Sequence, residues 1–184
     1  MKPIHRVVIF SVTLCLSHSV MAETFKNFLH VKHQTLKSLS GHGSAWVRIS
    51  TIKGDVTVTG ALILRHTQVE GKIVLNGNIF ALSNHSQANA ITIIPPTKPP
   101  YKLEITIDAH TIVHGNFRIV YPKNAPYNVN VIITSSSRID GNIEFVGKRG
   151  QVIIDTSSQI KGAIKNGKRI NIWKWFTKTN PPAV

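Results

Sequence analysis

The sequence predicts an all-β fold: a single-stranded right-handed β-helix of about six coils with a short N-terminal capping segment. Three observations predict it. One glycine-marked heptapeptide recurs five times, branched apolar residues fall in register around it, and the intervening stretches alternate apolar and polar residues.

The heptapeptide reads Ser/Thr, any, Ile/Val, any, Gly, any, Val/Ile/Phe. Its copies are Ser50–Val56, Thr67–Ile73, Thr111–Phe117, Ser137–Ile143 and Ser158–Ile164. The repeat glycines are Gly54, Gly71, Gly115, Gly141 and Gly162, placed where a chain turns a corner or backbones approach closely. Two residues before them stand Ile52, Val69, Val113, Ile139 and Ile160. Two after are Val56, Ile73, Phe117, Ile143 and Ile164, and four after are Val58, Leu75, Ile119 and Phe145, with Asn166 breaking the column. Eight before are Trp46, Ile63, Ile107, Ile133 and Ile154, expected in the same interior ladders. Gly60, Gly77 and Gly147 form a second glycine set. Stacked coils would place equivalent residues about 4.8 Å apart. An antiparallel sandwich or barrel is the alternative at this level, and right-handedness follows from chain chirality.

IKGDVTVTG (52–60), VEGKIVLNG (69–77) and IDGNIEFVG (139–147) resemble the coils of bactofilins, the polymer-forming bacterial cytoskeletal β-helix family. That resemblance implies the fold and, as an expectation, self-assembly. The chain departs from the family pattern in its uneven spacing and in its N-terminus.

Residues 1–22 read as a secretory signal: Lys2 and Arg6, the apolar run Val7–Leu16, then Val20-Met21-Ala22 for cleavage after Ala22. The run is shorter than the roughly 20 residues of a bilayer span, so the mature chain is expected to have no transmembrane segment. Leu14 before Cys15 does not suit a lipoprotein signal, and Cys15 is the only cysteine. An exported chain, periplasmic or secreted, would thus lack disulfides and thiol chemistry. The full sequence has 22 Lys+Arg against 8 Asp+Glu, and only Lys2 and Arg6 fall within residues 1–22; the excess favours anionic partners: polysaccharide, lipopolysaccharide or lipid head groups, with nucleic acid ranked last because the chain is expected to be exported.

Residues 23–45 space Phe25, Phe28, Leu29, Leu36 and Leu39 in a helical manner and predict a cap on the first coil. The repeat domain is placed at 46–170. It carries a Pro-rich insertion around 94–101 that explains the 44-residue gap after Gly71, with Ala90–Ile94 supplying a strand. Residues 171–184 form a basic, aromatic tail. Lys165, Lys168, Arg169, Trp173, Lys174, Trp175 and Lys178 are the candidate contacts to an anionic glycan or membrane surface, unless Ile172, Trp173 and Phe176 fold back to plug the last coil.

Lys53, Glu70, His114, Asp140 and Lys161 precede the repeat glycines. They predict one charge ladder, Lys53 facing Glu70 and Asp140 lying between His114 and Lys161. His114 with Asp140 has no nucleophile placed beside it, and the single, scattered carboxylates offer no glycosidase pair: Glu104 and Asp108 lie about 13 Å apart along a strand. No catalytic, cofactor or metal site is assigned, since His30, His33 and His42 lack the remaining ligands of a structural zinc. The function this supports is a non-catalytic solenoid with a structural or self-assembly role in the bacterial cell envelope. The alternative is an anionic-surface binding module.

Overall fold

A computed structural model describes residues 21–98, 103–123 and 125–173. The chain runs through β1 (Met21–Lys32), β2 (Thr35–Ile52), β3 (Val56–Ser83), β4 (Gln87–Ile94) and β5 (Glu104–Ile107). It continues through β6 (Ile112–Val113), β7 (Phe117–Val120), β8 (Asn130–Ile133), β9 (Arg138–Ile139) and β10 (Ile143–Val146). The last four are β11 (Gly150–Ile154), β12 (Gln159–Ile160), β13 (Ile164–Lys165) and β14 (Gly167–Asn171). The pairings between these strands are parallel, and the chain winds into a β-solenoid of about eight turns.

Layer register follows the repeat. Val56 lies over Leu39, Phe117 over Ile91, Ile143 over Phe117 and Ile164 over Ile143. Val113 lies over Ala88, Ile139 over Val113 and Ile160 over Ile139. The residues two before, two after and four after the glycines are buried except in the last copy, where Ile160 and Ile164 are partly covered. Parallel strands need no hairpins, because each coil returns to its starting edge one layer up. The backbone ladder then leaves the interior wholly to Ile, Val, Leu and Phe.

The higher count comes from the N-terminal segment. The segment expected to be a helical cap is strand: β1 and most of β2 form coils of the same solenoid, Glu23–Lys32 lying in register under Leu39–Arg48. Only one side of the first coil is covered, so Phe28 stays exposed while Val31 and Leu36 are buried. The repeat domain therefore begins near residue 21 rather than 46. The 44-residue gap holds the intervening coil that its length of about two units implies. There Ser86-Gln87-Ala88-Asn89-Ala90 stands in the place of the heptapeptide, and the turn is one residue shorter. Ala90–Ile94 is indeed part of a strand, β4. The proline-rich segment leaves the sheet after Ile94, and the Tyr127 hydroxyl donates a hydrogen bond to the Pro96 carbonyl, tying it to the body.

One expected column is corrected. Trp46 and Ile63 pair with each other on the outer surface, partly exposed, whereas Ile107, Ile133 and Ile154 are interior. The true interior partners are Val47 and Leu64. The cause lies in the corner that follows. The first coils turn on single left-handed residues, His33, Ile49 and His66 (φ 56°, 49° and 48°). The later ones turn on pairs, Asn84-His85, Ala109-His110 and Ser135-Ser136. One extra corner residue shifts the count to the glycine by one, and a one-residue shift moves a side chain to the other face.

The last coil ends the interior with polar groups. Arg169 lies over Val152 and Asn171 over Ile154, while the Asn166 amide donates to the Phe145 carbonyl at 3.2 Å. A polar terminal repeat closes that end of the ladder to further stacking.

Candidate functional site

Two corners and the last coil carry the polar chemistry. At the glycine corner the repeat glycines stack directly: a methyl on Gly71 would overlap the Gly54 peptide, one on Gly141 that of Gly115, and one on Gly162 that of Gly141. Asparagines stitch the same corner, Asn116 Oδ1 accepting from the Asn142 N–H at 2.9 Å and Asn142 Oδ1 from the Ala163 N–H at 2.8 Å.

The predicted charge ladder forms beside it. Lys53 Nζ lies 2.7 Å from Glu70 Oε1, Lys161 Nζ 2.9 Å from Asp140 Oδ1, and His114 Nδ1 3.5 Å from Asp140 Oδ2. Arg138 adds a further contact, its Nε 2.9 Å from Asp140 Oδ1. The other ring nitrogen of His114 faces Gln87 Oε1 at 3.3 Å. The ladder sets register.

The hydrogen bond from Lys161, with support from Arg138, holds the Asp140 carboxyl below its ordinary value. A carboxylate with a depressed folded pKa stabilises the fold above its unfolded pKa near 4 and loses that contribution as pH falls through the lower folded value. Thermal melts of the wild type and Asp140→Asn are therefore expected to differ at pH 7 and to converge below about pH 4; a gap independent of pH would contradict the role given to Asp140. Burial would raise the pKa of Asp108 and of Asp155. Hydrogen bonds from Ser135, Thr134 and the Ala109 amide outweigh it at Asp108, and those from Ser158, Ser135 and Ser157 at Asp155, so both are held low.

The opposite corner was only half legible. The Ser/Thr that opens each heptapeptide is buried there, at Ser50, Thr67, Thr111, Ser137 and Ser158, with Ser86 from the degenerate copy. Each turn leaves a backbone N–H facing the next layer, and a hydroxyl answers it. Ser86 Oγ accepts from the Thr67 N–H at 3.0 Å, Ser137 Oγ from Thr111 at 3.2 Å and Ser158 Oγ from Ser137 at 3.1 Å. Outside this hydroxyl column stand the left-handed residues. His66 and His85 stack with ring centroids 6.0 Å apart, and His85 and His110 at 5.1 Å, both pairs tilted by 22°. Sequence reading missed this ladder.

Of the predicted contact residues, Lys165, Lys168 and Arg169 come together on β13 and β14, all exposed. Trp173 is 70% exposed, so it does not plug the last coil. Lys174, Trp175, Lys178 and Phe176 lie outside the described residues. His30 packs near Trp46 with centroids 5.8 Å apart, and His33 sits on the histidine corner. Among the described residues no three His, Asp or Glu side chains gather as a metal site, and no helix is long and apolar enough to cross a membrane.

The fold and these corners define the class: a parallel β-solenoid. Comparison with protein-family models, curated proteins and solved structures returns no match.

Proposed function

We propose that the chain is an exported, non-catalytic scaffold of the bacterial cell envelope that attaches to an anionic surface polymer or lipid through its last coil. One observation carries this reading. In the preceding coils Lys53, Lys72, Arg118, Arg138 and Lys161 are each engaged by a carboxylate, whereas Lys32, Arg48 and Arg65, in register with one another, form a separate column with no ion pair among the described residues. Lys165, Lys168 and Arg169 form no ion pair among the described residues, and no acid follows Asp155 in the sequence. Cations already neutralised within the fold attract little, whereas unpaired ones on one edge are open to phosphate or carboxylate. Trp173 beside them adds an exposed ring suited to an interface or a sugar face. The N-terminal pattern of Lys2, Arg6 and Val7–Leu16 supports export.

Replacing Lys165, Lys168 and Arg169 together by Ala should weaken retention on lipopolysaccharide or anionic-lipid vesicles by roughly two orders of magnitude, at about 1 kcal/mol for each cation. Binding unchanged by the triple substitution at low salt would remove the reading.

Self-assembly is a second reading, favoured by the other end of the solenoid. Among the described residues β1 pairs only with β2, and it exposes Phe28 (60%) on that end. The last coil is polar, so association through the first coil would close as a pair of N-terminal ends rather than grow as a filament. Sedimentation across a concentration series tests it; monomer throughout would contradict it.

A further inference from the structure

We propose that the groove along the histidine corner binds a linear acidic polysaccharide laid parallel to the solenoid axis, with binding strengthened by protonation of His66, His85 and His110. This site is separate from the cationic last coil.

The groove has the right shape for a chain rather than for a compact ligand. A hollow of about 570 Å³ spans the corner from His33 to His85. A second, of about 330 Å³, continues from His110 past Arg138 to Gln159. The stacked rings of His85 and His110 join the two. The trough therefore crosses successive coils along the axis, and in its middle an imidazole recurs on three successive layers, about every 4.8 Å. That spacing is close to the length of one sugar unit in an extended glycan. One wall offers imidazoles; the other offers Thr51, Gln68 and Gln87. Hydroxyls and carboxamides both donate and accept, which suits sugar hydroxyls.

The rings stand on a left-handed backbone. His66, His85 and His110 all hold φ between 48° and 59°. Left-handed φ costs a non-glycine residue of order 1 kcal/mol or more. Glycine would make the same turn without that strain, and this chain uses glycine freely at its other corner. Ile49, Asn84, Ala109, Ser135 and Ser136 hold the same left-handed φ, so the strain belongs to the whole corner; what sets His66, His85 and His110 apart is that their rings stack while open to solvent.

Charge defines the ligand. No acid lines either hollow. Of the carboxylates nearest in sequence, Glu70 and Asp140 are neutralised by Lys53 and by Arg138 and Lys161, while Asp108 and Asp155 keep their charge but are turned into the corner by hydrogen bonds from Thr134, Ser135 and Ser158 and do not line either hollow. The cations that flank the column in sequence, Arg48, Arg65 and Arg138, share its sign. Protonated imidazoles 5–6 Å apart repel one another, and nothing in the groove neutralises them. A chain bearing a carboxylate on successive sugars would do so, which links its binding to the charge on the imidazoles.

The test is calorimetric titration of the intact protein with alginate oligosaccharides at pH 5.5 and pH 7.5, with cellohexaose as neutral control. One linked proton corresponds to about tenfold tighter binding at the lower pH. The triple variant His66→Asn, His85→Asn, His110→Asn keeps residues that tolerate left-handed φ, and it should lose that gain while melting like the wild type. A second variant, Gln68→Ala with Gln87→Ala, should weaken binding at both pH values and leave the pH ratio intact. The Lys165, Lys168, Arg169 triple-alanine variant should retain the tenfold ratio, which separates this site from the last coil. Four results would overturn the proposal: no alginate binding at pH 5.5, an unchanged pH ratio in the histidine variant, equal affinity for cellohexaose, or equally tight, histidine-dependent binding of inorganic polyphosphate.

Discussion

Phe117→Ala should lower the free energy of unfolding by about 3–5 kcal/mol, the usual loss for a fully buried phenylalanine. Phe117 is wholly inaccessible, lies between Ile91 and Ile143 in the layers on either side, and meets the edge of Phe80 with centroids 6.2 Å apart. Every neighbour belongs to a rigid backbone ladder, so the layers cannot close over the void, and the cavity adds to the lost transfer energy. Native domains hold only about 5–15 kcal/mol in reserve, so this substitution alone removes a large part of it. Equilibrium urea denaturation measures the change. Ile164→Ala, at the half-open end, should cost clearly less, because the last coil buries it on one side only. Equal losses at both positions would mean that the layers are not supported as described.

Gly141→Ala is the second large effect, expected at about 3 kcal/mol, the upper part of the range for overpacking a close-packed site. The reason is room, not conformation. Gly141 has no left-handed φ, but its missing side chain is the space in which the Gly115 peptide sits, so a methyl would push two layers apart. Gly147 provides the contrast. Its φ is 90°, yet the nearest atom to an added methyl, the Tyr121 carbonyl oxygen, lies at 3.5 Å. Gly147→Ala should therefore cost only backbone strain, about 1 kcal/mol. Denaturation midpoints for the two variants, at matched m-values, distinguish contact from strain. A smaller loss at Gly141 than at Gly147 would contradict direct stacking of the glycine corner.

The repeat was legible where corner and strand keep a constant distance. From the residue two before each glycine to the residue four after it, nothing is inserted, so Val113, Phe117 and Ile119 could be aligned with Ile139, Ile143 and Phe145 by counting. Counting failed across the histidine corner, where later coils carry a second left-handed residue that the first coils lack, so the same count from the glycine reaches interior Ile107 and Ile133 but outward Trp46 and Ile63. The coil in the 44-residue gap could be inferred from spacing but not aligned as a copy, because its corner reads Ser86-Gln87-Ala88-Asn89-Ala90: the hydroxyl survives, but Ala replaces the branched residue and Asn the glycine. The first coil misled for another reason. With one side unpartnered, it carries Phe25, Phe28 and Leu29 in a pattern that alternation alone does not describe.

The candidate sites follow the same division. The charge ladder could be foreseen because it adjoins the glycines, and Lys53–Glu70 and Asp140–Lys161 meet as the spacing implies. The histidine ladder could not, since His66, His85 and His110 come together only when the irregular coil between them is in register. The Ser/Thr column was visible in every copy, but its work, accepting a corner N–H from the adjacent layer, becomes apparent only once the coils are stacked.

Stacking itself is open to one direct measurement. With Cys15 replaced by Ser, cysteines at Thr92 and Arg118 occupy partnered positions on adjacent parallel strands, about 4.8 Å apart and within disulfide reach. Oxidation should join them nearly completely in the folded protein, as read by peptide mapping, while Thr92→Cys with Glu144→Cys, two layers apart, should remain reduced. A bond between 92 and 144, or none between 92 and 118, would contradict the layered solenoid.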